Sequence, residues 1–149
     1  MLKISELSSI DLIKILEEEE KDSVLREMVL LISNSDSIKD AAELEKAIFE
    51  RENILSTSIG LGIAIPHVRL KSVTEMTMAV GVSKKGIDYK AFDEQKVYIL
   101  IMIAAPEGTQ RQYLGVLAKI ALLLKNASIR ESIVNAESPD EIYEIIKSH

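Results

Sequence analysis

Lys96-Val97-Tyr98-Ile99-Leu100-Ile101-Met102-Ile103-Ala104-Ala105 decides the fold. It is almost wholly apolar and rich in β-branched residues, so it reads as a strand. A strand apolar on both faces needs cover on both, which makes it a central strand with helices on each side. Pro106-Glu107-Gly108 stops it.

On its N-terminal side, Glu75 to Ser83 alternates well enough to be a second strand, and Lys84-Lys85-Gly86 reads as the turn that follows. On its C-terminal side, Gln110 to Lys125 is a helix with Leu114, Leu117, Ala121 and Leu124 on one face, ended by Asn126. Ser128 with Glu131 reads as the capping box of a short helix. Ser138 with Glu141 reads as another, with Pro139 at the first helical position. Ile142, Ile145 and Ile146 bury that last helix.

Further upstream, Lys21 to Ser33 is a helix by pattern, with Leu25, Met28, Val29 and Ile32 on one side. Ser33 to Ser37 is a polar break. A second helix starts near Asp40, where Asp40 and Glu43 form a variant capping box, and Leu44, Ala47, Ile48 and Arg51 share one face. Asp11 to Leu16 is either a strand or a helical turn, and Glu17 to Glu20 is a solvated acidic run. Helices, then strands, then helices imply a single α/β domain over 1–149, a three-layer α/β/α sandwich with a small mixed sheet.

The chain has 149 residues, a formal net charge of −6, 47% hydrophobic residues and no cysteine. Those values suit one domain with a full core. They argue against nucleic acid as a partner, since phosphate backbones attract basic faces. They exclude disulfides and thiol chemistry. The start at Met1-Leu2-Lys3 lacks a signal-peptide core, and no run of about 18 apolar residues exists to span a membrane. A cytoplasmic protein is the expectation.

Chemistry concentrates in Thr57-Ser58-Ile59-Gly60-Leu61-Gly62-Ile63-Ala64-Ile65-Pro66-His67. The chain holds only 2 histidines, and the other is the terminal His149. Two glycines thin the backbone, an apolar triplet reads as a short buried strand, and Pro66 fixes the turn that presents the imidazole. A metal site lacks its ligand set, because no second internal histidine and no cysteine exist. A serine hydrolase lacks its Gly-x-Ser-x-Gly elbow. Phosphoryl acceptance fits better: one free ring nitrogen, an oriented second nitrogen, and nearby cations and donors. Arg51 and Arg69 are candidate cations and Thr57 and Ser58 candidate donors, with Arg51 preferred for its place on the buried edge of its helix. The plain alternatives are a hydrogen-bonded core histidine, an Arg51 that caps helix-end carbonyls, and surface charge at Arg69 and Lys71.

The run Arg51-Glu52 … Thr57 … Ile59-Gly60-Leu61-Gly62-Ile63-Ala64-Ile65-Pro66-His67 resembles the signature of enzyme IIA domains of the bacterial phosphotransferase system, mannitol/fructose class. That class also contains the nitrogen-regulatory IIA proteins. Ala105-Pro106, the Leu114 to Ala121 pattern and Ser138 to Ile142 extend the likeness over nearly the whole chain. The resemblance implies that His67 is the phosphorylated residue and Arg51 its support. It implies no cofactor and no metal. The implied donor is a histidine-containing phosphocarrier protein. The recipient would be a IIB domain, with the membrane reached only through a permease, or a regulatory target protein. The lack of a fused IIB or IIC domain in this sequence leans toward the regulatory role. Two positions depart from the family pattern. Ser58 stands where a glycine is common, and Tyr113 where many members carry a second histidine. A degenerate member without phosphotransfer is the third reading, and Tyr113 is its only support. Tyr113 can donate a hydrogen bond but cannot act as a protonatable imidazole. A partner must reach His67, so Ile59, Leu61 and Leu70 are expected to form an exposed apolar rim.

Overall fold

The computed structural model describes residues 3–149; Met1 and Leu2, part of the start expected to lack a signal-peptide core, lie outside the described residues. Six strands form one mixed sheet: β1 (Ile13–Ile15), β2 (Ser58–Gly60), β3 (Ile63–Ala64), β4 (His67–Arg69), β5 (Thr77–Ile87) and β6 (Val97–Ala105). The order is β1-β5-β6-β3-β2, with β4 also on β6. β6 is central, antiparallel to β5 and parallel to β3 and β4. The small mixed sheet expected from the sequence is therefore borne out.

Alternation along β6 explains both apolar faces. Ile99, Ile101, Ile103 and Ala105 enter one core, and Leu100, Met102 and Ala104 enter the other. Helices α1 (Lys21–Ile32) and α2 (Ala41–Ile54) cover the second face. Helices α3 (Gln110–Leu124), α4 (Ala127–Asn135) and α5 (Pro139–Lys147) cover the first. This is the α/β/α sandwich.

Four local readings change. Lys84-Lys85-Gly86 is not a turn: β5 runs on through it to Ile87. The register shift between Val82 and Ile87, with Gly86 at φ 87°, absorbs the irregularity as a bulge. Asp11 to Leu16 holds both candidate structures, a 3-10 turn over Ile10–Leu12 and then β1, parallel to β5. Helix α4 is capped by Asn126, whose side chain accepts from the Ile129 N–H at 3.2 Å, and not by Ser128. Asn126 follows the C-cap of α3 at Lys125, and its side chain serves the next helix. Finally, α3 is rotated from its expected face. Tyr113, Val116, Ile120 and Leu124 are buried, whereas Leu114 is 54% exposed. Apolar residues run most of the way round α3, so periodicity alone allows several faces.

The other two caps keep only the N-cap half of their boxes, and the Glu141 carboxylate accepts from the Glu137 N–H at 3.1 Å. The Asp40 carboxylate accepts from Glu43 N–H at 3.0 Å and Ser138 Oγ from Glu141 N–H at 3.3 Å. The Glu43 carboxylate does not return to Asp40; it accepts from the Ser72 hydroxyl at 2.8 Å, so the box at Asp40 is half made.

Candidate functional site

The segment from α2 to β4 delivers the imidazole. β2 and β3 are antiparallel and joined by Leu61 and Gly62, both with positive φ (59° and 75°), as a tight two-residue hairpin turn requires. β3 pairs with Ile99 and Leu100 of β6, and β4 with Ile103 to Ala105, so the two follow the same side of β6 and are broken at Ile65-Pro66. Proline has no N–H to give a ladder, but its carbonyl accepts from the Ile103 N–H at 3.0 Å. His67 therefore starts β4 with its backbone anchored to the central strand.

Its ring is equally constrained. Nδ1 lies 2.5 Å from the Ile65 carbonyl oxygen. A carbonyl only accepts, so Nδ1 carries the proton and Nε2 presents its lone pair. Burial holds the imidazole below its ordinary pKa of 6.5. The Ile65 hydrogen bond opposes this, the Arg51 charge adds to the lowering, and Glu52 pulls the other way. The neutral ring is the nucleophilic form.

Two clefts meet at His67. One is an open cavity of about 620 Å³ lined by Arg51, His67, Arg69, Glu107 and Tyr113 among others. The other is a groove lined by Ile59, Leu117, Ala118 and Ala121, with Arg51, Thr57, Ser58 and His67 at its polar end. Arg51 reaches both, and its guanidinium also donates to the Leu55 carbonyl at 2.8 Å, capping its own helix. The helix-end role and the cleft role thus coexist. The Tyr113 ring lies 5.6 Å from the His67 ring at a 55° tilt. Burial pushes its phenol up to about 12 against the pull of Arg69 and Arg51.

The predicted donors are placed differently. Ser58 is buried, and its Oγ accepts from Ser56 Oγ at 3.0 Å. Thr57 is buried, and its hydroxyl meets the Tyr89 hydroxyl at 3.1 Å. Of the expected rim, Ile59 and Leu61 are exposed, while Leu70 is partly buried against the α1/α2 core and drops out.

Behind the site lies a network that sequence reasoning missed. Glu52 is 6% exposed; both its oxygens accept from the Thr57 N–H, at 3.1 and 3.2 Å. Lys21 Nζ pairs with it at 3.1 Å and sits 4.6 Å from the Tyr89 ring centroid. Adjacent positions on α2 thus divide the work: Arg51 faces the cleft and Glu52 pins the loop that leads to His67. The pair Arg51-Glu52 was the available signal. Lys21 and Tyr89, 31 and 37 residues away from Glu52 in sequence (52 − 21 and 89 − 52), carried none.

A family model described as phosphoenolpyruvate-dependent sugar phosphotransferase system, EIIA 2, matches residues 6–149. The fructose-specific EIIABC component of Bacillus subtilis is 40% identical over 99% of this chain, which spans 24% of that relative's length. The crystal structure of nitrogen regulatory protein IIA-Ntr from Neisseria meningitidis superposes with a TM-score of 0.89 at 30% identity, covering 96% of this chain and 98% of that one. A complex of enzyme IIA and phosphorylated enzyme IIB for mannitol from Escherichia coli matches with a TM-score of 0.80 at 18% identity, covering 95% and 97%; that likeness shows the fold.

Proposed function

The chain belongs to the EIIA 2 family of the phosphoenolpyruvate-dependent sugar phosphotransferase system, and from that premise we propose that it carries a phosphoryl group on His67 Nε2. The donor is a histidine-containing phosphocarrier protein and the recipient a IIB domain. The observation that carries this reading is the Nδ1 hydrogen bond to Ile65, which leaves Nε2 as the free nitrogen in a cleft shared with Arg51.

The step balances without a cofactor. The Nε2 lone pair attacks the donor's phosphorus, the donor's N–P bond breaks, and its electron pair returns to the donor ring. That ring leaves neutral because its other nitrogen keeps a proton. The positive charge passes to the His67 ring, whose Nδ1–H faces the Ile65 carbonyl. Arg51 offers a planar fork to the equatorial oxygens, where positioning and charge do most of the catalysis. Tyr113 supports from the side of the ring. Thr57 and Ser58 contribute by holding the backbone, given that their hydroxyls are engaged elsewhere.

Docking uses the apolar groove beside His67, and the mannitol IIA–IIB complex supports a IIB domain as the partner there. A regulatory output is the second reading, favoured by the likeness to the Neisseria nitrogen-regulatory protein. The test is incubation with phosphorylated carrier protein and intact-mass measurement, with His67→Ala as control. An acid-labile adduct lost in the variant supports the assignment. No adduct from a fully phosphorylated donor sinks it and leaves the binding module.

A further inference from the structure

Phosphoryl oxygens carry about two negative charges, and Arg51 spends one of its N–H donors on the Leu55 carbonyl. A second cation is needed, and Tyr113 supplies none. β4 places one within reach. Residues two apart on a strand share a face, so His67 and Arg69 project together while Val68 packs into the opposite core. The Arg69 guanidinium carbon sits 5.5 Å from the Tyr113 ring centroid, and the same ring lies 5.6 Å from His67. Arg69 is exposed, lines the cleft with Arg51, and forms no hydrogen bond or ion pair with another described residue.

We propose that Arg69, seated on the Tyr113 ring, is the second cation of the phosphoryl site, so that Arg51 and Arg69 hold the group on His67 Nε2 from two sides. The proposal rests on the reading of His67 as acceptor. Tyr113 is then a platform: its ring seats and orients the Arg69 guanidinium. Cation–π seating restricts a flexible side chain without neutralising it. The anion recognised is a phosphoryl dianion, for which a planar, permanently charged fork is suited.

The position of the transfer equilibrium separates this role from docking. A residue that only docks the carrier changes forward and reverse rates alike and leaves the equilibrium where it was. The full chain is mixed with phosphorylated carrier protein at fixed ratio, and the phosphorylated fraction is read at equilibrium by intact mass. A 31P NMR titration of the purified adduct reads the phosphoryl ionisation. Arg69→Gln is expected to move the equilibrium against the adduct by about 5- to 10-fold, the loss of one partly screened charge-assisted contact. It should also raise the phosphoryl pKa. Tyr113→Phe keeps the ring and should lose less than Tyr113→Leu, which should lose about 3-fold. If Tyr113→Leu does not fold, Arg69→Gln and Tyr113→Phe decide alone. An Arg69→Gln protein with parental equilibrium and parental 31P titration overturns the proposal, whether or not transfer is slower. Tyr113→Phe falling as far as Arg69→Gln overturns the platform. Failure of the parent protein to accept phosphate at all is a different result, and it overturns the reading of His67 itself.

Discussion

At His67 the fold favours the neutral ring. Its folded pKa lies below the ordinary 6.5, chiefly through burial. The linkage follows in sign: stability from this group is complete above 6.5 and is lost as pH falls from there through the folded value. Phosphoryl acceptance should fall over that same acid limb. A 15N NMR titration should find the Nδ1–H tautomer and a midpoint below 6.5; a midpoint above it would contradict the burial account. Arg51→Gln should raise the midpoint and Glu52→Gln lower it, because the two charges act in opposite directions. Glu52→Ala should cost about 3–5 kcal/mol by chemical denaturation, since it leaves Lys21 without its buried partner and the Thr57 N–H without an acceptor. A loss under about 1 kcal/mol would mean water replaces the carboxylate. At this scale the sequence was only half legible. His67 and Arg51 stand out as candidates by type and spacing, but Glu52, Tyr89 and Lys21 meet through contacts that no local pattern encodes.

Among the elements, α4 offers a clean discrimination. Asn126→Ala should destabilise by about 1 kcal/mol, because it strips the cap from the Ile129 N–H. Ser128→Ala lies inside the first turn and should change thermal stability little. Equal losses would restore the capping box that the sequence suggested. β5 offers a second test. A Cβ on Gly81 would lie 2.5 Å from Met28 Sδ and 2.8 Å from a Leu16 methyl carbon, so α1 packs against bare backbone there. Gly81→Ala should cost about 1–3 kcal/mol as overpacking; a neutral result in a urea melt would show that α1 can lift. Both features illustrate one limit. Caps compete with neighbouring polar residues one or two positions away, and a strand glycine is silent until the helix above it is known.

Taken whole, the molecule hangs on β5 and β6, with the site on the far edge of β6. Amide hydrogen exchange should show β6 slowest, paired on both sides, and the β2–β3 hairpin faster, since its two-residue turn holds Leu61 at φ 59° and β2 is the end strand of the sheet among the described residues. Slower exchange in β2 than in β6 would refute that ranking. The His67 backbone is fixed to β6 by the β4 pairing and by the Pro66 carbonyl bond to the Ile103 N–H.

The amino-acid sequence by itself determined the layered α/β class, through the two-sided apolar strand from Val97 to Ala105 and the amphipathic helices around it. It also singled out His67 as the candidate acceptor, because a Gly-x-Gly run closed by Ile-Pro-His is local and chemically specific. Only the tertiary structure decided which face α3 buries, because apolar residues run most of the way round that helix and only packing against the sheet selects among them. The same packing brought the Tyr113 ring within 5.6 Å of the His67 ring and 5.5 Å of the Arg69 guanidinium, and brought Lys21 and Tyr89 to Glu52. Those meetings join residues far apart in the chain, and their geometry exists only once the layers close.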